Sequence, residues 1–259
     1  MDSKKRNKLD LIRVISRIDI KGANVIKGVS FEGLRILGNP KSIIQKYYNE
    51  GIDEILLIDT VASLYGRNNL SNLLEEIVKD VFIPINIVGG ISSLESAINI
   101  LRSGADKIGI NTAIVKNPNL LEEFINVIGS ANVTVSIEAK KIKNDWEIYT
   151  LNGREKTGIN IMRWIEVLSN FEIGEILLTS IDQDGTKKGF DCELIKLVSN
   201  KVKCSLIVSG GFGKLEHIDE LMQIGNVDGI AIGTALHYNL TTIKSLKEHM
   251  YKKGFNVRV

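Results

Sequence analysis

Two cysteines, three prolines and no uninterrupted apolar run of membrane-spanning length set the first limits on this 259-residue chain. Cys192 and Cys204 are too few for a disulfide framework and have no metal-ligand spacing, so a reducing, cytoplasmic setting is expected. No stretch approaches the roughly 18 apolar residues of a membrane helix. The opening MDSKKRNKLDLIRVISRIDI is basic but lacks a leader's apolar stretch. With so little proline and no low-complexity segment, disordered linkers are not expected. The charge is nearly balanced, 33 basic against 31 acidic residues for a net +2, which gives no case for nucleic acid or a membrane surface as partner. His217, His237 and His249 form no pair at ligand spacing. They read as solvated or capping residues, and no metal or cofactor is expected.

What is present is a regular alternation. Short β-branched runs occur at 11–20, 54–60, 84–88, 106–111, 133–138, 175–181, 205–209 and 228–233. They are apolar nearly throughout, as in parallel strands buried on both faces. Helix-period segments separate them, from PKSIIQKYYNE to LTTIKSLKEHMYKKG; in one of them Trp164 falls at helical spacing with Ile161, Ile165 and Leu168 and reads as core. Eight strands alternating with eight helices predict an α/β fold, a single (β/α)8 barrel over residues 1–259 with an N-terminal extension of about nine residues. WEIYTLNGREKTG (146–158) interrupts the pattern and reads as a hairpin in the fifth strand-to-helix loop. Lysine-rich stretches such as residues 4–6 read as solvated surface.

The chain also repeats itself. EILL at Glu54 returns at Glu175, and the pair Gly89-Gly90 returns at Gly210-Gly211, both 121 residues on. ADKIGINTA (105–113) is answered by VDGIAIGTA (227–235). Two half-barrels follow, so each element of a site should occur twice. Two adjacent glycines where a buried strand ends point either to a tight turn or to backbone that approaches a ligand. In a barrel such positions lie at the rim where phosphates bind. Gly210-Gly211 with Gly233-Thr234 predict one phosphate cradle, and Gly89-Gly90 with Asn111-Thr112 predict a second, for a substrate phosphorylated at both ends.

Asp19 and Glu138 end the first and fifth runs and are expected to face each other across the barrel mouth. Paired carboxylates in a partly dry cleft suit general acid–base chemistry. The bland alternative is a solvated acid paired with Lys21 or Lys140.

These stretches carry a resemblance. IDIKGANVIKG, FEGLR, VGGISS, GEILLTSIDQDGTKKGFD, SGGFGKLEH and HMYKKGFNVRV resemble the cyclase subunit of imidazole glycerol phosphate synthase, over roughly residues 11–259. The resemblance implies a lyase-cyclase that takes ammonia from a partner glutaminase and attacks a bis-phosphorylated, ribulosyl-carrying imidazole carboxamide nucleotide. It implies Asp19 and Glu138 as the catalytic acids, with Glu where that family has Asp. It adds Thr179, Asp184, Gly185 and Ser209 to the substrate- and phosphate-binding residues. It implies an ammonia gate of Arg13, Glu54, Lys107 and Glu175 at the other end of the barrel, and Asp106 as a contact for the glutaminase. As a plainer possibility, the four charges simply plug the barrel. Arg17 stands where the family usually has Cys, and strand alternation turns it to the same side as Asp19.

Those departures, with residues 17–22 and 59–70, also resemble a branch found with surface-polysaccharide genes. There the barrel and its glutaminase supply ammonia to an amidotransferase that makes acetamidino sugars. A third possibility is a non-catalytic barrel that only activates a glutaminase.

Overall fold

Eight parallel strands close into a barrel in the computed structural model, which describes residues 11–60 and 69–259. The N-terminal extension, the lysines of residues 4–6 and most of the segment 59–70 therefore lie outside the described residues. In chain order the strands are β1 (Arg13–Lys21), β2 (Asn24–Val29), β3 (Glu32–Gly38), β4 (Glu54–Asp59), β5 (Ile85–Val88), β6 (Lys107–Ile110), β7 (Val133–Ile142), β8 (Asp145–Thr150), β9 (Glu155–Asn160), β10 (Glu175–Ser180), β11 (Ser205–Ser209) and β12 (Gly229–Ile232). The barrel runs β1-β4-β5-β6-β7-β10-β11-β12, and β12 pairs in parallel with β1 to close it. The helices are α1 (Pro40–Asn49), α2 (Asn69–Ile77), α3 (Leu94–Arg102), α4 (Thr112–Lys116), α5 (Leu120–Ile128), α6 (Ile161–Leu168), α7 (Cys192–Ser199), α8 (Glu216–Met222), α9 (Thr234–His237) and α10 (Ile243–Lys252). Their starts follow from local chemistry. Ser93 and Ser96 form a capping box before α3, Thr242 and Ser245 another before α10, and Asn39 caps α1, where Pro40 needs no N–H partner.

Alternate strand residues point into the barrel and out to the helices. Ile15, Leu56, Ile58, Val88, Leu177, Ile207 and Ala231 fill the inside as one cluster, separate from the larger layer between strands and helices. Trp164 belongs to that outer layer beside Ile161, Ile165 and Leu168. Two antiparallel hairpins stand on the barrel. The expected one is β8–β9, which extends β7. The other, β2–β3, extends β1 and gave no sign in the apolar pattern, because β3 is largely exposed, with Leu34 and Ile36 open to solvent. Both follow repeat-related strands, so the half-barrel duplication includes the hairpins. It also includes the short helices α4 and α9, which are too brief to show a period.

Candidate active site at the barrel mouth

The C-terminal ends of β1 and β7, the first and fifth barrel strands, carry Asp19 and Glu138 on opposite sides of the mouth. Asp19 is held by two cations: Arg17 Nε lies 2.8 Å from Oδ1 and Lys27 Nζ 2.8 Å from Oδ2. Lys27 also reaches Asp184 at 3.0 Å, and Arg17 stands 3.5 Å from the same carboxylate. All four side chains are buried. Burial alone would raise the Asp19 pKa, but the charges of Arg17 and Lys27 outweigh it and hold the carboxyl well below its ordinary range. The partner of Asp19 is thus Lys27 rather than Lys21. The hairpin register sets Asp19 opposite Ile26, which brings the next residue over the mouth.

Glu138 has no lysine partner among the described residues. Its Oε2 accepts the Gly153 N–H at 2.8 Å and an Asn111 Nδ2–H at 3.2 Å. Burial dominates and pushes its pKa up to about 7, against the Gly153 hydrogen bond and the Arg17 charge, with repulsion from Asp19 and Asp184 adding to the rise. The two acids therefore differ in protonation near neutrality, one ionised and one half-protonated, which is the pattern of a divided acid–base pair.

Around Asp19 the rim is built by β10, β11 and β12. Thr179, next to last in β10, and Ser209, last in β11, are buried, and Arg17 donates to Ser209 Oγ at 3.1 Å. Gly185 follows Asp184 in a turn against the β2–β3 hairpin, whose Ser30 N–H donates to the Asp184 carbonyl at 2.7 Å. Gly211 accepts the Gly189 N–H through its carbonyl. Gly233 opens α9, and Thr234 Oγ1 is buried with no hydrogen-bond partner among the described residues. Phe31, at the hairpin tip, lies over the Arg17 guanidinium, 5.3 Å from its ring centroid.

Across the mouth, a cavity of about 330 Å³ is lined by Gly89, Gly90, Asn111, Thr112, Lys116 and Glu138, with Ser136 and Asn152 among others. The tip of the β8–β9 hairpin closes over it, where Thr112 Oγ1 accepts the Leu151 N–H at 3.1 Å. The two leading glycines have a reason inside the protein. Gly89 and Gly210 both have φ near +100°, and a Cβ on either would strike a carbonyl at the end of the neighbouring barrel strand, Asp59 and Ser180 respectively. This is the tight-approach explanation, duplicated with the repeat, and it leaves the rim open to a ligand.

At the opposite end, Arg13, Glu54, Lys107 and Glu175 are the first residues of β1, β4, β6 and β10. They form a closed ring of ion pairs: Arg13–Glu54 2.5 Å, Arg13–Glu175 2.6 Å, Lys107–Glu54 3.3 Å and Lys107–Glu175 3.1 Å. Burial would raise Glu175, but Arg13 and Lys107 outweigh it and lower its pKa. Asp106 lies beside Lys107 at this end, exposed, its Oδ2 accepting the Ile85 N–H. The expectation for the histidines needs correction. His217 is buried and bonded at Nδ1 to the Gly213 N–H. His237 is not solvated: its Nε2 meets the Arg17 carbonyl at 3.1 Å and its Nδ1 the Tyr47 hydroxyl at 2.8 Å. A carbonyl only accepts, so Nε2 carries the proton and Nδ1 accepts from Tyr47. Lys27, Phe31, Lys116, Asn152 and Gly153 were not singled out from the sequence. Lys27 lies within the quoted IDIKGANVIKG, but only the hairpin register reveals its place.

The family model described as histidine biosynthesis protein matches residues 13–242. A relative from Legionella pneumophila, imidazole glycerol phosphate synthase subunit HisF, is 53% identical over 209 residues, 80% of this chain and 99% of the relative. The subunits of the same description from Pyrococcus furiosus and Petrotoga mobilis are 42% and 41% identical, each over 95% of this chain and 98% of theirs.

Proposed function

From the premise that the chain belongs to the histidine biosynthesis protein family, with imidazole glycerol phosphate synthase cyclase subunits as its relatives, we propose that it is the ammonia-using cyclase of that synthase. Its substrate is the bis-phosphorylated ribulosyl imidazole carboxamide nucleotide, and its ammonia comes from a glutaminase docked at the Asp106 end. The observation that carries this reading is the unequal pair of acids at one mouth, Asp19 ionised and Glu138 with a pKa of about 7.

Condensation of ammonia with the substrate's ketone forms a C–N bond and expels the carbonyl oxygen as water. That departure needs an acid, and the added nitrogen must lose protons to a base. Glu138, half-protonated at neutral pH, serves as acid; Asp19, kept ionised by Arg17 and Lys27, serves as base and stabilises cationic nitrogen. The two glycine-lined rims hold the terminal phosphates, Gly89, Gly90, Asn111 and Thr112 on one side and Gly210, Gly211, Gly233 and Thr234 on the other. Thr179, Asp184, Gly185 and Ser209 line the substrate between them. The ring of Arg13, Glu54, Lys107 and Glu175 admits ammonia.

The test is production of imidazole glycerol phosphate by purified protein with excess ammonium at alkaline pH. Robust turnover abolished by Asp19→Asn supports the proposal. Arg17 supports a second reading, because a buried cation stands beside Asp19 on one side of the mouth. On that reading the barrel passes ammonia to an amidotransferase for acetamidino-sugar synthesis. No cyclase product, beside a partner glutaminase that still hydrolyses glutamine, would favour it. Glutaminase stimulation with no ammonia transfer to any acceptor would mean a purely activating barrel.

A further inference from the structure

Two of the three histidines stand behind one rim, and the mechanism uses neither. His217 lies in the first turn of α8, just beyond the Gly210-Gly211 pair, and His237 ends α9, just beyond Gly233 and Thr234. The other half of the repeat has no histidine at either place. Ser96 and Val115 hold the corresponding positions behind Gly89-Gly90 and Asn111-Thr112, and Ser96 belongs to the Ser93 capping box. The two rims therefore share their glycines but not what stands behind them.

The loop after β11 is held from two directions. Gly211 gives its carbonyl to the Gly189 N–H at 2.9 Å, and Gly213 donates its N–H to His217 Nδ1 at 3.2 Å. With Nδ1 accepting, His217 carries its proton on Nε2. Its buried ring meets Phe212 edge-on, ring centroids 6.4 Å apart, and Phe212 packs on Phe190 at 6.2 Å. The ring is thus fixed in orientation, and it fixes Gly213. The turn after β12 is held by the second ring. The His237 backbone N–H donates to the Gly233 carbonyl at 3.0 Å, while its Nε2–H donates to the Arg17 carbonyl at 3.1 Å. Tyr47, buried on α1, donates its hydroxyl to Nδ1 at 2.8 Å and sets that tautomer. A Cβ on Gly233 would stand 3.2 Å from the same Arg17 carbonyl, so the turn lies directly against β1.

Rigidity matters more at this rim than at the other. Its cations Arg17 and Lys27 are already matched by Asp19 and Asp184. Binding an anion then depends on backbone N–H groups and on Thr234 Oγ1, which is buried with no partner among the described residues. Backbone donors hold an anion well only when their directions are set beforehand. Across the mouth, Lys116 lines the cavity and supplies charge instead. We propose that His217 and His237 are positioning residues for phosphate, holding the Gly210-Gly211 and Gly233-Thr234 arms of one cradle in binding shape. This deepens the reading of that rim as a phosphate cradle and rests on it.

Inorganic phosphate titrated at neutral pH reads both rims at once by NMR. The Gly211 and Thr234 amides report one side, and Gly90 and Thr112 the other. His217→Phe and His237→Phe keep a ring in place and delete its hydrogen bonds. Each should weaken phosphate at Gly211 and Thr234 by about tenfold, the equivalent of one buried hydrogen bond, and leave Gly90 and Thr112 within about twofold. His217→Asn returns an acceptor at the Nδ1 position, and His237→Gln a donor at the Nε2 position. Both should bring the affinity to within about threefold of the parent. His217→Met and Tyr47→Phe disturb the same contacts and stand in for a phenylalanine variant that does not fold. Equal weakening at both rims, no weakening, or no recovery with Asn and Gln would mark the histidines as packing only. Gly211 and Thr234 amides that phosphate leaves unmoved in the unaltered protein would remove the cradle itself, and the role of the histidines with it.

Discussion

Arg17 Nε and Asp19 Oδ1 stand 2.8 Å apart on successive inward positions of β1. Strand alternation turns both side chains into the mouth, and the buried guanidinium has Asp19, Ser209 and Asp184 within reach. Lys27 completes a set of two cations and two carboxylates that mirrors, in charge, the ring at the other end of the barrel. Glu138 stays outside this set, bonded to a backbone N–H and an amide. That separation is what divides the ionisation of the two acids.

Stability should report it. Glu138 has a folded pKa of about 7, above its ordinary value, so the folded state binds more protons than the unfolded one between the two. Stability contributed by the neutral acid is therefore lost as pH rises through that window. Glu138→Gln mimics the neutral form and removes this slope. The variant should gain roughly 3 kcal/mol on the parent between pH 4 and pH 8. Urea unfolding at the two pH values checks it, and a constant difference would mean that Glu138 titrates normally.

Asp19→Asn removes the ionised acid and leaves Arg17 and Lys27 with Asp184 as their remaining carboxylate partner. On the cyclase reading kcat should fall by about 10²–10⁴ with little change in KM, since the group acts in the chemical step. Glu138→Asp should keep or raise the rate, because it restores the acid length seen in the family. A matching rise in KM for Asp19→Asn would move the residue from chemistry to binding.

How much of this was legible in the sequence depends on range. Each barrel strand announced itself because residues buried on both faces must be apolar, and the rim glycines followed from strand order and the repeat, whereas the four ring charges were implied by the family resemblance. The repeat even fixed which glycines share a geometry. The β2–β3 hairpin did not show, because its exposed β3 has no buried face to impose a pattern. With it went Lys27, whose approach to Asp19 depends on an antiparallel register. The tautomer of His237 was equally hidden, since it is set by Tyr47, 190 residues away.

His237 should resist protonation. Burial, with the Lys27 charge adding to it, lowers its pKa to about 4. A depressed imidazole is neutral when folded but charged when unfolded below its ordinary pKa, so stability is lost as pH falls from about 6.5 towards 4. Nitrogen-15 NMR should show the Nε2–H tautomer persisting down to about pH 4. A midpoint near the ordinary histidine value would contradict the Arg17 and Tyr47 contacts as described.

The ring at the far end predicts a split between ammonia sources. Lys107 bridges Glu54 and Glu175, so Lys107→Met leaves two buried carboxylates sharing Arg13. If the ring gates ammonia, glutamine-dependent turnover should drop more than ammonium-dependent turnover. Parallel losses would assign the ring to barrel stability instead.

The two rims should bind phosphate unequally. On the cavity side, exposed Lys116 contributes a cation that none of the ion pairs described engages, next to Gly89, Gly90, Asn111 and Thr112. On the other side, Arg17 and Lys27 are already matched by Asp19 and Asp184, so an anion there depends on backbone N–H groups and the Thr234 hydroxyl. Phosphate carries nearly two negative charges, and a lysine lining the same cavity as Gly90 and Thr112 favours it. Inorganic phosphate titrated into the protein should move the Gly90 and Thr112 amides first and the Gly211 and Thr234 amides at higher concentration. Lys116→Ala should erase the difference by weakening the first site alone. Amides that stay unmoved at both rims would remove the phosphate cradles, and a first site untouched by Lys116→Ala would show that the lysine reaches into solvent rather than over the cavity.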